Sequence, residues 1–383
     1  MATRLMRLGI RAAAPFGAAA IGLTLGLALA PGAAAAASGW EIGHTNAVGD
    51  DNELTEVAAT GAGDAWAVGS VHRYQGTDHW YEPLLQRYDG SAWKRATVPA
   101  GPAKGMYTSV DATSASNAWV WETGWVDQPS GALRWNGSAW RFFPVTGTGA
   151  SRPDVATLPS GQAWVVTPAS GASTAVAYWN GTALRTVKAP AGALNTVDAR
   201  TANDAWAGGN SGGQPLLAHW NGTAWKKTAV PRIPITGEGT DMAADVQDVK
   251  VLAANDVWAV GRTHSLGDDP DAVETPFALH WNGTKWTYAD KGVAHPNGGF
   301  TSVASDGSGG VWMSGRNEYL THYAKGQWTT AEVARDPNTV FSLGVAGLSR
   351  VPGTARVLGV GSVDLVNDPD PLLHEGAVFT QGG

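Results

Sequence analysis

The sequence has no cysteine in its 383 residues, which excludes disulfides, thiol chemistry and lipid attachment through cysteine. Charged residues are also sparse, at 15%, and the formal net charge is -7. Because nucleic acids and anionic membranes repel negative charge, this balance argues against both as partners. The chain is long enough to bury a large core, and without disulfides that core has to stabilise the fold.

The N-terminal segment predicts an export signal. Three arginines precede an apolar run over residues 12–30, and proline, glycine and alanines follow it. This order is that of a secretory signal, and cleavage fits after Ala37. A stop-transfer segment would be followed by charges, which disfavours a membrane anchor. We therefore expect residues 1–37 to be a signal peptide and residues 38–383 to form one secreted, extracellular domain without membrane insertion.

A tryptophan-centred motif of the type Asp-Ala-Trp-Ala-Val-Gly recurs along the chain. Its copies are centred on Trp66, Trp119, Trp164, Trp206, Trp258 and Trp312, and a seventh copy has Leu358 at the tryptophan position. Consecutive copies lie about 40 to 55 residues apart, a period that suits a four-stranded propeller blade.

Six copies are followed by a second motif that joins two aromatic-rich stretches, as in His-Trp-Asn-Gly-Thr-Ala-Trp225. Asn-Gly and Asp-Gly are strong hairpin signals, since a type I′ turn needs positive φ at both central residues. A short run also precedes each first motif. Each repeat therefore predicts four strands: a before the first motif, b over it, c ending at Asn-Gly, and d starting at the second tryptophan.

The two ends of the chain complete each other. The seventh repeat stops after strand c, while residues 39–42 match an orphan strand d. We expect residues 39–42 to pair with the strand around residues 377–380, which closes the ring and leaves only short sheet edges. The predicted fold class is all-β, a seven-bladed β-propeller of four-stranded blades closed by the N-terminal strand completing the last blade.

All but three of the 19 tryptophans occupy repeat positions, and we interpret them as packing between blades. Trp121 shares a strand face with Trp119 and is also predicted to be core. The connections between strands b and c vary in length and lie on one face of the propeller. Because irregular loops on a rigid scaffold usually carry binding residues, we expect the functional site on this face. Trp80 and Trp125 fall in these connections in neighbouring repeats.

These connections supply the candidate ligand-binding residues, which are Tyr74, His79, Trp80, Tyr81, Glu82, Trp125 and Asp127. The aromatic rings would stack on the apolar faces of a sugar while the histidine and carboxylates bond its hydroxyls. The alternative is that the aromatics pin long connections to the propeller.

The two motifs together resemble those of secreted bacterial seven-bladed β-propellers. They also resemble, more distantly, tectonin and tachylectin-type lectin propellers and kelch repeats. The resemblance covers the chain after residue 37 and implies the architecture. It does not imply an activity, because propellers host both lectins and enzymes. A kelch repeat would carry a glycine pair in every strand b, and here only Gly208-Gly209 has one.

Acidic residues offer two further hypotheses. The first is a calcium site at the Asp-Pro-Asp segments, although their spacing is not that of an EF-hand and solvated turns are the alternative. Its candidate ligands are Asp268, Asp269, Asp271, Asp368 and Asp370. A ring of inner positions is expected to line a water-filled channel, or to serve glycosidase chemistry. The ring is Glu56, Ser109, Asp154, Thr196, Asp248, Ser302 and Ser342.

The sequence thus predicts a secreted, non-catalytic recognition protein without a cofactor. It would bind glycan, or a secreted or cell-surface protein, alone or as the binding subunit of a larger exported assembly. The alternative is a polysaccharide-active glycoside hydrolase or lyase that uses the channel carboxylates. His219, His280 and His322 share one repeat position, so we expect them to be structural.

Overall fold

The computed structural model describes residues 39–46, 51–98, 101–145, 153–167, 175–235, 242–265, 274–291, 293–295, 298–366 and 374–381. All regular elements in these ranges are β-strands. No helix in them is long and apolar enough to span a membrane. The predicted signal peptide lies outside the described residues.

The strands follow the sequence repeats. An N-terminal strand, β1 (Trp40–Thr45), precedes the first repeat. Repeats 1 to 3 comprise β2 (Asn52–Gly61), β3 (Asp64–Gln75), β4 (Asp78–Tyr88), β5 (Trp93–Arg95); β6 (Gly105–Ser114), β7 (Asn117–Gly124), β8 (Gly131–Trp135), β9 (Trp140–Pro144); and β10 (Asp154–Thr157), β11 (Ala163–Thr167), β12 (Ala175–Trp179), β13 (Leu184–Val187). Repeats 4 and 5 comprise β14 (Ala193–Thr201), β15 (Asp204–Ser211), β16 (Gln214–Trp220), β17 (Trp225–Lys227); and β18 (Met242–Ala253), β19 (Asp256–Ser265), β20 (Thr275–Trp281), β21 (Trp286–Tyr288). Repeats 6 and 7 comprise β22 (Ser302–Ser305), β23 (Val311–Ser314), β24 (Tyr319–Ala324), β25 (Gln327–Ala334); and β26 (Val340–Arg350), β27 (Val357–Leu365), β28 (His374–Gln381).

Repeats 1 to 5 each form a four-stranded antiparallel sheet. Repeats 6 and 7 share an eight-stranded sheet with the order β22-β23-β24-β25-β1-β28-β27-β26. Strand β1 pairs antiparallel with β28, with Trp40 opposite Gln381 and Ile42 opposite Phe379. The predicted pairing of the two chain ends is therefore confirmed. Strand β1 also touches β25, in parallel, at two residue pairs.

The innermost strands contact one another in a closed cycle: β2, β6, β10, β14, β18, β22, β26 and back to β2. They surround a central channel. Next to this channel, a register shift in strand a lies opposite the glycine of the first motif. A Cβ on Gly69 would lie 1.9 Å from the Glu53 carbonyl oxygen, and one on Gly361 would lie 1.8 Å from that of Gly344. These two copies of the motif therefore need glycine at this position, because a side chain has no space there.

The tight type I′ turn predicted for the second motif is wrong. In repeat 4, Trp220 pairs with Trp225, which leaves a four-residue connection. Only its glycine, Gly222, has a positive φ, of 92°. The Asn221 side chain instead accepts hydrogen bonds from the backbone N–H groups of Thr223 and Ala224, each at 3.1 Å. Asparagine is favoured here because its side chain fixes the turn.

The predicted tryptophan packing between repeats is confirmed. The buried Trp206 of strand b contacts Trp281 and Trp286 of the next repeat, at centroid distances of 5.1 and 5.2 Å. Trp312 contacts Trp40 at 5.5 Å, so the N-terminal strand supplies the ring that the last repeat needs. Trp121 is fully buried, as predicted.

Replacing Trp40 by Ala should lower the free energy of unfolding by about 3–5 kcal/mol, as for other buried aromatic residues. Trp40 is fully buried, whereas its neighbour Glu41 is exposed, so Glu41→Ala is the matched control. Urea denaturation measures both variants. Equal stability of Trp40→Ala and the wild type would contradict closure of the ring by this strand.

Candidate functional site

The predicted long connection between strands b and c of repeat 1 is a β-hairpin and not a loop. Strands β3 and β4 stay paired up to Gln75 and Asp78, and Gly76 turns the chain with a φ of 66°. Side chains therefore alternate between the two faces of the hairpin. This alternation decides which of the candidate residues meet.

One hairpin face carries an aromatic cluster, defined here as His72, Tyr74, His79, Tyr81 and Trp125. His72 stacks on Tyr81 at 4.5 Å, and Trp125 from the β7–β8 connection contacts Tyr81 at 5.0 Å and His79 at 5.6 Å. The Tyr74 hydroxyl lies 2.8 Å from His72 Nδ1, while its ring stays exposed. Of the candidate residues, the structure thus brings together Tyr74, His79, Tyr81 and Trp125.

Trp80 does not join this cluster. It lies opposite Arg73 on the other hairpin face, and the Lys104 ammonium lies 4.6 Å from its ring centroid. The expected platform shared by Trp80 and Trp125 is therefore not formed. The register of the hairpin decides this, because Trp80 and Tyr81 are adjacent residues that point to opposite faces.

The two candidate carboxylates differ in their surroundings. Glu82 binds Arg73 at 2.8 Å and Arg95 at 2.7 Å. Burial raises the pKa of Glu82, but the two arginines outweigh it and hold the pKa below its ordinary value. Asp127 is exposed beside Val126, which has an unusual φ of 53°. Glu82 is thus engaged within the protein, and a ligand role for Asp127 stays a prediction.

All five candidate calcium ligands, Asp268, Asp269, Asp271, Asp368 and Asp370, lie outside the described residues. Within the described ranges no three His, Asp or Glu side chains are grouped so that they could hold a metal ion. Calcium binding therefore stays a prediction.

Five of the seven predicted ring positions line the channel, namely Glu56, Ser109, Asp154, Asp248 and Ser302. Thr196 lies beside them and contacts Asp154 and Asp248, whereas the prediction of Ser342 is wrong. Glu56 lies opposite Val68, two residues after Trp66, whereas the residue opposite the corresponding Val360 is Gly347. Strand β26 extends outward before this channel position, and Ser342 lies in that outer part, opposite Asp364. There Ser342 donates a hydrogen bond to Asp364.

The channel carboxylates bond the backbone of the next repeat. Glu56 accepts the N–H of Val110, Asp154 that of Val197, and Asp248 that of Val303, each at 2.8 Å. Hydroxyl groups join the same network. Ser109 and Thr196 donate to Asp154 at 2.8 and 2.9 Å. These acids therefore hold neighbouring strands together around the channel.

Three channel carboxyl groups have raised pKa values. Burial, with added repulsion from Asp154 and Asp248, raises the pKa of Glu56 well above its ordinary value. Burial and Asp154 raise the pKa of Asp248 to about 7, and burial raises that of Asp154. All three acids border both channel cavities, of about 420 and 440 Å³, and so lie between the two mouths.

The shared histidine position is structural, as predicted. His219 Nε2 lies 2.8 Å from Asp204, and its ring stacks on Trp206 at 4.5 Å. His280 and His322 make the equivalent contacts in their own repeats. In repeats 4 and 5 the aspartate of the first motif thus orients a histidine that covers the motif tryptophan, and in repeat 6 Asp306, outside the motif, does so.

Sequence reasoning missed Glu122, which replaces the motif glycine in repeat 2. Its side chain is fully buried, and neither carboxylate oxygen has a hydrogen-bond partner in the described part of the chain. Burial raises its pKa to about 8. Gly101 leaves the space it occupies, since a Cβ there would lie 2.4 Å from Glu122 Oε2. The signal was visible as a glutamate where most copies have glycine.

Two solved structures show the architecture of the chain. U3-55K has a TM-score of 0.55 at 10% identity, over 91% of this chain and 99% of that one. YCF48 bound to D1 peptide has a TM-score of 0.52 at 15% identity, over 90% of this chain and 97% of that one. Both are β-propeller proteins, which confirms the predicted β-propeller of repeated four-stranded sheets. Neither a family model nor a curated protein matches the chain.

Glu122→Gln should stabilise the protein at alkaline pH. The wild-type carboxyl is held neutral by burial, so its contribution falls as pH rises from about 4.5, the unfolded value, to about 8. The variant should gain a few kcal/mol at pH 8 and nothing at pH 4. Urea denaturation across this range measures it, with the exposed Glu41→Gln as control. A gain independent of pH would contradict the assignment.

Proposed function

We propose that this chain is a secreted, non-catalytic, seven-bladed β-propeller that recognises a protein surface through the aromatic cluster. The blade count is supported by the closed cycle of inner strands. It is supported further by the eight-stranded sheet, whose two halves touch through only two parallel residue pairs between β25 and β1. Such a contact fits the edges of two neighbouring blades.

One observation carries the recognition proposal: large apolar side chains are exposed at the same end of the strands as the aromatic cluster. Tyr74 is 65% exposed, Val126 is 79% exposed, and Phe341 at the start of β26 is 71% exposed. Exposed apolar groups gathered on one face mark interaction sites. The structure of YCF48 bound to a D1 peptide supports the proposal, because it is an example of a β-propeller that binds a peptide.

Backbone strain at Val126 supports the same face. A β-branched residue at a φ of 53° is an outlier, and such strain concentrates at functional positions. The turn presents the Val126 side chain to solvent beside Trp125, whose ring anchors it on Tyr81. The contact between Trp125 and Tyr81 therefore holds the exposed Val126 side chain in a fixed position beside the aromatic cluster.

The geometry favours a protein over a glycan. A sugar platform needs open ring faces and free groups that bond hydroxyls. Here His72 and Tyr81 cover one another, Glu82 is held by two arginines, and Trp80 lies on the opposite hairpin face. Within the aromatic cluster, only the rings of Tyr74 and His79 are exposed.

The non-catalytic part of the proposal rests on the channel network. Asp154 accepts hydrogen bonds from Ser109, Thr196 and the backbone of two repeats. A carboxylate occupied in this way is suited to holding strands in place. The hydrolase and lyase alternative would need channel acids free to reach a sugar.

A photo-crosslinking amino acid at position 74 should capture a partner in cultures of the producing cells, whereas one at position 80 should not. Tyr74→Ala should then weaken affinity for the captured protein at least tenfold without changing the melting temperature. Trp80→Ala on the opposite face is the matched control and should keep the affinity.

Three results would contradict the proposal. They are unchanged affinity of Tyr74→Ala for the captured protein, glycan-array binding that depends on Tyr74, and polysaccharide cleavage that Asp154→Asn abolishes without unfolding the protein.

A further inference from the structure

Six repeat boundaries are filled by a tryptophan of strand b, and the boundary between repeats 7 and 1 is not. Trp66, Trp119, Trp164, Trp206, Trp258 and Trp312 are all buried. Their counterpart Leu358 is partly exposed. The shorter side chain leaves unfilled the region that an indole occupies elsewhere.

A cavity of about 370 Å³ lies at this boundary. Its apolar walls are Leu358, Ala65, Val351, Tyr88 and Trp93. Ser91, Thr354 and Arg356 add polar groups to its lining. Mostly apolar walls with a few polar groups, at this volume, are typical of small-molecule sites.

The two rings in this cavity already have the arrangement that receives an indole at another boundary. Tyr88 and Trp93 lie 5.5 Å apart with an interplanar angle of 41°. Trp135 and Trp140 have the same separation and angle, and they hold Trp66 edge-on at 6.1 and 5.6 Å. The pair in repeat 1 is therefore a preformed acceptor without its indole.

We propose that the cavity between repeats 7 and 1 binds a small molecule with a flat aromatic ring of indole size. The ring would take the place of the missing tryptophan, edge-on to Tyr88 and Trp93 and in contact with Leu358. The surrounding polar groups would receive a polar substituent. Since the cavity lies beside the turns of strands a–b and c–d, it is separate from the aromatic cluster at the opposite ends of the strands.

The other leucine that replaces a repeat tryptophan provides a control. Leu184 also borders a cleft, of about 460 Å³. There Phe143 already lies between Trp119 and Trp179, at 5.6 and 5.0 Å, so no ring pair is left open.

The test is titration of the full secreted chain with indole, with leucine methyl groups labelled for NMR. The Leu358 methyl resonances should move upfield and saturate, while those of Leu184 should not. Leu358→Trp should weaken indole binding at least tenfold and raise the melting temperature, whereas Leu184→Trp should leave binding unchanged. Leu358→Phe should weaken binding to an intermediate degree.

The absence of any Leu358 shift at millimolar indole would overturn the proposal, whether or not the tryptophan variant folds. So would indole binding to folded Leu358→Trp with wild-type affinity. N-acetyl-tryptophanamide should bind at least tenfold more weakly than indole. Equal binding of the two would contradict a free small molecule as the occupant.

Discussion

The packing of one indole against two aromatic rings of the next repeat is the interaction on which the ring depends. Trp164 contacts Trp220 at 5.0 Å and Trp225 at 5.2 Å, across a repeat boundary. A four-stranded sheet cannot bury its faces alone, and this contact buries them against a neighbour. Because the chain lacks cysteine, such contacts and the strand pairing of the two ends must hold the ring closed.

Hydrogen bonds along the channel also connect neighbouring repeats, and unlike the packing they fix specific pairs of residues. Beyond the first ring of acids, Asp111 accepts the N–H of Thr157 at 2.6 Å, and Asp198 accepts that of Val251 at 2.7 Å. Burial raises the pKa of Asp111 to about 6. The presence of these acids in the channel is thus explained by buried backbone N–H groups, which need hydrogen-bond acceptors.

The sequence predicts the fold well because the repeat is read from residue types whose role is local. Tryptophan, glycine and Asn-Gly recur at fixed spacing, and the orphan strand over residues 39–42 follows from that spacing. Positions that depend on register were harder to predict. The channel position of β26 is Gly347, further along the strand than the expected Ser342, and hairpin pairing separated Trp80 from Trp125.

Departures from the repeat proved more informative about sites than the repeat itself. Glu122 at a glycine position became a buried acid, and Leu358 at a tryptophan position became the wall of a cavity. The sequence shows each departure, but only the packing of the neighbouring repeat shows whether the space is filled. Phe143 fills it beside Leu184, whereas among the described residues no ring fills it beside Leu358.

The central claim is that the strand-b indole stabilises each repeat boundary. The most direct test is the free energy of unfolding of Trp206→Leu, which copies the natural Leu358 into a boundary where Trp281 and Trp286 surround the indole. The account predicts a loss of about 3 kcal/mol, on the scale of large-to-small changes in a core. A variant as stable as the wild type would contradict it.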